Sequence, residues 1–139
     1  MDKIYLFTYG TLSDPEYTQL LLNRLPVYAN ACLPGYNLLI HPGNGYLFVT
    51  KNPDKHVQGQ LLEITPAELK LTDLWEDVPL YQRELLPVTK CGRKVNAFVY
   101  TQDQAQGLPF QYQHLKKRRV ILQEIEEFME SVRKSGMGR

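Results

Sequence analysis

Two short stretches hold residue types that can do chemistry together. In the first, Tyr9-Gly10-Thr11-Leu12-Ser13 follows an unbroken apolar run and precedes Asp14-Pro15-Glu16, so a buried strand breaks at a glycine and feeds into a helix N-terminus. Such a junction presents several backbone N–H groups at one spot and suits a carboxylate or phosphate. Equally, Gly10 can serve simply to turn the chain. In the second, Glu76 closes a short helix beside Trp75, just before a β-rich run. A helix C-terminus and an apolar neighbour both disfavour the anion, raising a carboxyl toward the range that a general acid/base needs near neutrality. A solvated carboxylate is nevertheless the ordinary state of any one of the chain's 15 acidic residues, and Asp73, Asp77 and Arg83 suit an exposed ion-pair cluster.

Other chemistries lack their residues. The 139-residue chain carries 16 Lys+Arg against 15 Asp+Glu, a balance that argues against nucleic acid or an anionic membrane as partner. Cys32 and Cys91 have no Cys-x-x-Cys companion and read as reduced thiols of a cytosolic protein. His41, His56 and His114 have no metal-ligand spacing, so no metal is expected. One glycine at position 10, without a Walker lysine, disfavours nucleotide binding, and no Gly-x-Ser-x-Gly context offers a nucleophile. Lys116-Lys117-Arg118-Arg119 puts residues 116–139 at 7 basic to 4 acidic, but no aromatic platform interleaves it, and a solvated face is the simpler reading.

The elements that must position these residues follow from periodicity and punctuation. Residues 4–9 read as a strand buried on both faces, and Ser13 with Glu16 at capping-box spacing predicts a helix from there to about Arg24. Residues 27–33, 36–40, 46–50 and 57–64 read as short strands, with Gly59 marking a bulge or a close backbone approach. Thr65-Pro66-Ala67-Glu68 starts a helix reaching about residue 75. Tyr81–Thr89 and Lys94–Thr101 form a hairpin, and the Gln-rich stretch 102–113 is loop. Leu115, Ile121, Leu122, Ile125, Phe128, Met129 and Val132 line one face of an amphipathic helix over 114–134, with Glu124, Glu126, Glu127 and Glu130 facing away. About seven short strands and three helices, without steady βαβ alternation, predict one α+β domain over residues 1–139 with a mixed or barrel-like sheet. The apolar run at Ile4 is too short for a signal peptide, and Pro and Gly interrupt the uncharged residues 25–50, which predicts a soluble, cytoplasmic protein without a membrane span.

Taken together, four motifs resemble the γ-glutamylcyclotransferase-like family: Phe7-Thr-Tyr-Gly-Thr-Leu12, Val57-Gln-Gly-Gln-Leu-Leu-Glu63, Leu-x-Asp-x-x-Glu76 followed by Tyr81-Gln-Arg83, and Ala97-Phe-Val-Tyr100. The likeness spans about residues 4–101, and the Val-Pro-Leu-Tyr-Gln-Arg stretch is most similar to the γ-glutamylamine cyclotransferase branch. The resemblance implies a small mixed β-barrel of about six to seven strands with flanking helices. It implies that Tyr9, Gly10, Thr11 and Leu12 hold a substrate's α-amino-acid end, that Glu76 is the catalytic carboxylate, and that Tyr100 stands near the cavity. Thr8 replaces the more usual valine, and Thr72 stands where leucine is common; neither change removes a reacting group.

The implied activity is a cofactor-independent acyltransferase or lyase reaction on a γ-glutamyl small molecule. The substrate's α-amine attacks its own γ-carbonyl and releases 5-oxoproline. A nucleophile carried by the substrate asks for no Ser, Cys or metal. Two other classes stay open: a catalytically silent metabolite-binding module of the same fold, and an interaction protein acting through the last helix. A monomer or weak homodimer is expected.

Overall fold

A computed structural model describes residues 3–41, 43, 45–76, 81–102, 107–109 and 116–135. The chain runs β1 (Ile4–Thr8), a 3₁₀ turn (Thr11–Ser13), α1 (Pro15–Leu22), β2 (Tyr28–Ile40), β3 (Leu47–Ile64), α2 (Pro66–Trp75), β4 (Gln82–Lys90), β5 (Arg93–Thr101), β6 (Leu108–Pro109) and α3 (Arg118–Lys134). The strands lie in the order β3-β1-β5-β4-β2-β6, and a further β3–β2 pairing closes the first five into a barrel. Among the described residues, β1 and β5 run parallel and the other pairings are antiparallel. This is the small mixed barrel with flanking helices expected from the motifs.

Successive β1 side chains serve different halves of the core, as the period of two along a strand dictates. Leu6 joins a cluster shared with the helices, which includes Leu21, Phe48, Leu62 and Ile125. Phe7 joins a cluster drawn from strands alone, with Leu33, Val49, Val88 and Val99. Gly59 lies against β1 so closely that a Cβ there would stand 2.2 Å from the Thr8 carbonyl oxygen and 2.7 Å from Phe7 Cζ. The close backbone approach expected at Gly59 is therefore what the glycine serves.

Several boundaries differ from the sequence reading, each for a local reason. Pro34-Gly35 does not break the strand: β2 runs on through a register shift between Pro34 and Tyr36, where Gly35 takes φ 83°. Opposite it, β3 continues through residues 51–56, so four expected short strands are two long ones. Asp14, not Ser13, caps α1, its carboxylate accepting the Glu16 N–H at 2.9 Å. Asn23 in the left-handed region then ends that helix at Leu22, before Arg24. Within the stretch expected to be loop, Leu108–Pro109 forms β6 against Ile40 and Leu39.

The last helix starts at Arg118, not at 114; residues 114 and 115 lie outside the described residues. Its apolar face is taken up by the chain's own core: Ile125 and Val132 are buried, and Ile121, Leu122, Phe128 and Met129 pack against the helix-side cluster. The basic run is also partly used. Arg118 pairs with Asp14 at 2.9 Å and with Glu16, and its guanidinium lies 4.6 Å from the Tyr17 ring centroid, which ties α3 to α1. Among the described residues no helix is long and apolar enough to cross a membrane.

Candidate active site

The loop after β1 is held from its outer side. The Gly10 carbonyl accepts the Ser13 N–H at 3.0 Å and the Ser13 hydroxyl at 2.5 Å, and the Leu12 carbonyl accepts the buried Thr18 hydroxyl at 2.7 Å. In a trans peptide the N–H lies antiparallel to the carbonyl, so the Thr11 N–H points to the opposite side of the loop from Ser13. Tyr9, Gly10, Thr11 and Leu12 all line a cavity of about 410 Å³, within the range of small-molecule sites.

Glu76 reaches the same cavity from the end of α2. The helix starts as its sequence predicts, with a reciprocal capping box: Thr65 Oγ1 accepts the Glu68 N–H at 3.2 Å, and Glu68 Oε1 accepts the Thr65 N–H at 2.9 Å. Arg24 then holds the Glu68 carboxylate through two contacts of 2.6 Å. At the other end Glu76 is the C-cap, its N–H donating to the Thr72 carbonyl at 2.9 Å. The residue is half-buried on the cavity, and desolvation raises its carboxyl pKa to about 8. The expectation of an apolar environment holds here; desolvation is the cause of the shift.

Tyr100 joins the strands to this helix. Its hydroxyl donates to Asp73 Oδ1 at 2.7 Å and lies 2.7 Å from Thr72 Oγ1. The threonine at the position where leucine is common thus acquires a buried polar partner. Asp73 also pairs with Arg83, whose guanidinium lies 5.0 Å from the Phe98 ring centroid. Asp73 and Arg83 thus form the exposed ion pair that their spacing suggested, while Asp77 lies outside the described residues. Burial, then the Asp73 contact, pushes the Tyr100 phenol above its usual value.

Tyr9, Gly10, Thr11, Leu12, Glu76 and Tyr100 accordingly line one cavity. Sequence reasoning missed Tyr46, Tyr81 and, above all, Glu124, which was expected to face solvent. Glu124 stands three residues after Ile121 and four before Phe128, at one flank of the apolar stripe, whereas Glu127 and Glu130 lie opposite that stripe and Glu126 on its other flank. That spacing was the available signal. Glu124 accepts the Tyr46 hydroxyl through Oε1 and the Lys116 ammonium at 2.9 Å through Oε2. Among the described residues no group of three or more His, Cys, Asp or Glu could hold a metal ion.

The chain is similar to known proteins in sequence and in fold. The model of the family described as "Gamma-glutamyl cyclotransferase, AIG2-like" matches residues 6–122. AIG2-like protein C of Arabidopsis thaliana is 38% identical over 98 residues, covering 68% of this chain and 56% of that protein. The chain spans about half the length of the curated relatives it matches. The crystal structure of an AIG2-like protein from Mus musculus superposes with a TM-score of 0.67 at 26% identity, over 80% of this chain and 87% of that one. A structure described as a gamma-glutamyl cyclotransferase gives a TM-score of 0.69 at 16% identity over 92% of this chain and 87% of that one, a likeness of fold.

Proposed function

Because the chain belongs to the gamma-glutamyl cyclotransferase, AIG2-like family, we propose that it cleaves a γ-glutamyl amide by intramolecular attack of the substrate's α-amine, releasing 5-oxoproline and an amine. The observation that carries this reading is the placing of Glu76 and the Tyr9–Leu12 loop on one cavity. In the reaction a bond forms between the α-nitrogen and the γ-carbonyl carbon, and the bond from that carbon to the departing nitrogen breaks. Glu76 takes a proton from the α-ammonium and returns it to the departing nitrogen. The ring nitrogen releases a second proton, and the free amine takes one up.

A carboxyl with a pKa of about 8 suits both halves of that transfer near neutrality, since it is neither fixed as anion nor fixed as acid. The loop offers N–H donors to the anionic oxygens of the substrate. Ring closure is unimolecular, so holding the substrate folded supplies several kcal/mol of the barrier. Tyr9 and Tyr100 act as rigid walls, because burial keeps both phenols protonated and each donates its proton within the protein.

The assay is release of 5-oxoproline from a panel of γ-glutamyl amides. Wild type is expected to produce it, and Glu76→Gln to lose at least about 100-fold in rate. No product from any amide, or full activity in Glu76→Gln, overturns the proposal. Tight binding of the amides without turnover identifies a silent metabolite-binding module instead.

A further inference from the structure

Two carboxyls line the cavity, Glu76 and Glu124, and among the described residues no Lys or Arg does. Burial opposes ionisation of Glu124, but the Tyr46 hydroxyl and the Lys116 ammonium outweigh it and hold this carboxyl below its usual value. It is an anion at neutral pH. Around it stand aromatic rings: Trp75 meets Tyr46 edge-on at 6.4 Å and Phe128 at 5.3 Å between centroids. The charges of both Glu76 and Glu124 are felt at the Tyr46 hydroxyl, so the α3 wall lies within electrostatic reach of the reacting end.

The direction of the substrate rests on the cyclisation proposed above. With the scissile nitrogen beside Glu76 and the α-amino-acid end on the Tyr9–Leu12 loop, the departing amine extends toward Tyr46, Trp75, Glu124 and Phe128. We propose that Glu124 is a specificity-determining residue: it selects γ-glutamyl amides whose departing amine carries a second cationic group and rejects those whose departing amine carries a carboxylate. An ammonium at this wall meets ring faces and a carboxylate. A second carboxylate meets a like charge there, with no Lys or Arg lining the cavity among the described residues to receive it, and this mismatch works as discrimination.

The chain itself shows that the wall accepts a cation. The Lys116 ammonium lies 4.1 Å from the Tyr46 ring centroid while bonded to Glu124. It offsets part of the charge of Glu124.

The experiment compares γ-glutamyl amides of an α,ω-diamine, the matching monoamine and the matching ω-amino acid, with kcat/KM from 5-oxoproline release. Binding of the three free amines is measured in parallel by calorimetry. Expected is the order diamine, monoamine, ω-amino acid, with about tenfold between the first and last at low salt. Glu124→Gln, which keeps an acceptor for Tyr46, should lower the ratio of kcat/KM for the diamine amide over the monoamine amide about tenfold. An unchanged order in Glu124→Gln overturns the proposal. So does a wild-type preference for the ω-amino acid that vanishes in Lys116→Met, which would make Lys116 the receptor of a substrate carboxylate. If no amide is turned over, the cyclisation reading fails by itself. Glu124-dependent binding of the free diamine over the ω-amino acid then still supports the specificity assignment, and equal binding of the two overturns it.

Discussion

The Tyr9 hydroxyl donates to the Tyr100 backbone carbonyl at 2.7 Å, across 91 positions of sequence. This bond ties the residue that opens the Tyr9–Leu12 loop to β5, whose Tyr100 side chain in turn grips Asp73 and Thr72 on α2. The loop and the helix that ends in Glu76 are thereby referenced to the same strand. Tyr9→Phe removes the bond while keeping the ring. It should cost about 1 kcal/mol of stability in a urea titration and about tenfold in kcat/KM through misplacement of the loop. Burial, then the charges of Glu76 and Tyr81, hold the Tyr9 phenol well above its usual value, so the variant should leave the shape of the pH profile unchanged.

Glu76 should govern both the pH profile and the pH dependence of stability. Its folded pKa of about 8 lies above the ordinary carboxyl value, so the folded state binds the extra proton. Stability from this group is fully present below the unfolded pKa and is lost as pH rises through about 8. Glu76→Gln should therefore melt close to wild type in acid and above it in alkali, measured by thermal unfolding across pH. In wild type, kcat/KM should climb with pH through about 8 as the base form appears.

Gly59→Ala tests the close packing of β3 on β1. The added methyl would meet a backbone carbonyl at 2.2 Å, and a backbone atom cannot swing aside as a side-chain tip can. Destabilisation at or beyond the upper end of about 1–3 kcal/mol is expected in chemical denaturation. A loss of less than about 0.5 kcal/mol would show that β1 is free to move away from β3.

Thr65→Ala separates the two ends of α2. Removing the N-cap oxygen should cost about 1 kcal/mol, read from a denaturant midpoint. Activity per folded molecule should stay near wild type, because Asp73 and Thr72, not the cap, hold the end that carries Glu76.

Local rules made much of the site legible before any coordinates. Thr65-Pro66-Ala67-Glu68 and the apolar stripe of α3 follow from capping chemistry and helical period, and both are realised. The strand-glycine-helix junction and a helix-end carboxyl beside Trp75 were readable for the same reason. Other features depend on contacts distant in sequence. Pro34-Gly35 looked like a stop, yet β3 pairs with residues on both sides of it and the register shift absorbs the irregularity. Glu124 looked like one of four solvent-facing glutamates until Tyr46, 78 positions earlier, met it across the cavity. Ser13 was the nearer match to a capping box, but its hydroxyl is spent on the Gly10 carbonyl, which leaves the cap to Asp14.

The position of β1 in the barrel bears on how the molecule is made. Its neighbours are β3 and β5, so Leu6 needs Leu62 on one side and Phe98 on the other. A chain emerging from the ribosome gains the first partner early and waits for the second until β5 has been synthesised. Throughout that interval β1 is an open edge of apolar residues, the kind of surface that recruits other chains. High contact order of this sort slows folding. A destabilised β5 should accordingly appear first as lost soluble yield at elevated growth temperature, before any loss of specific activity in the molecules that do close.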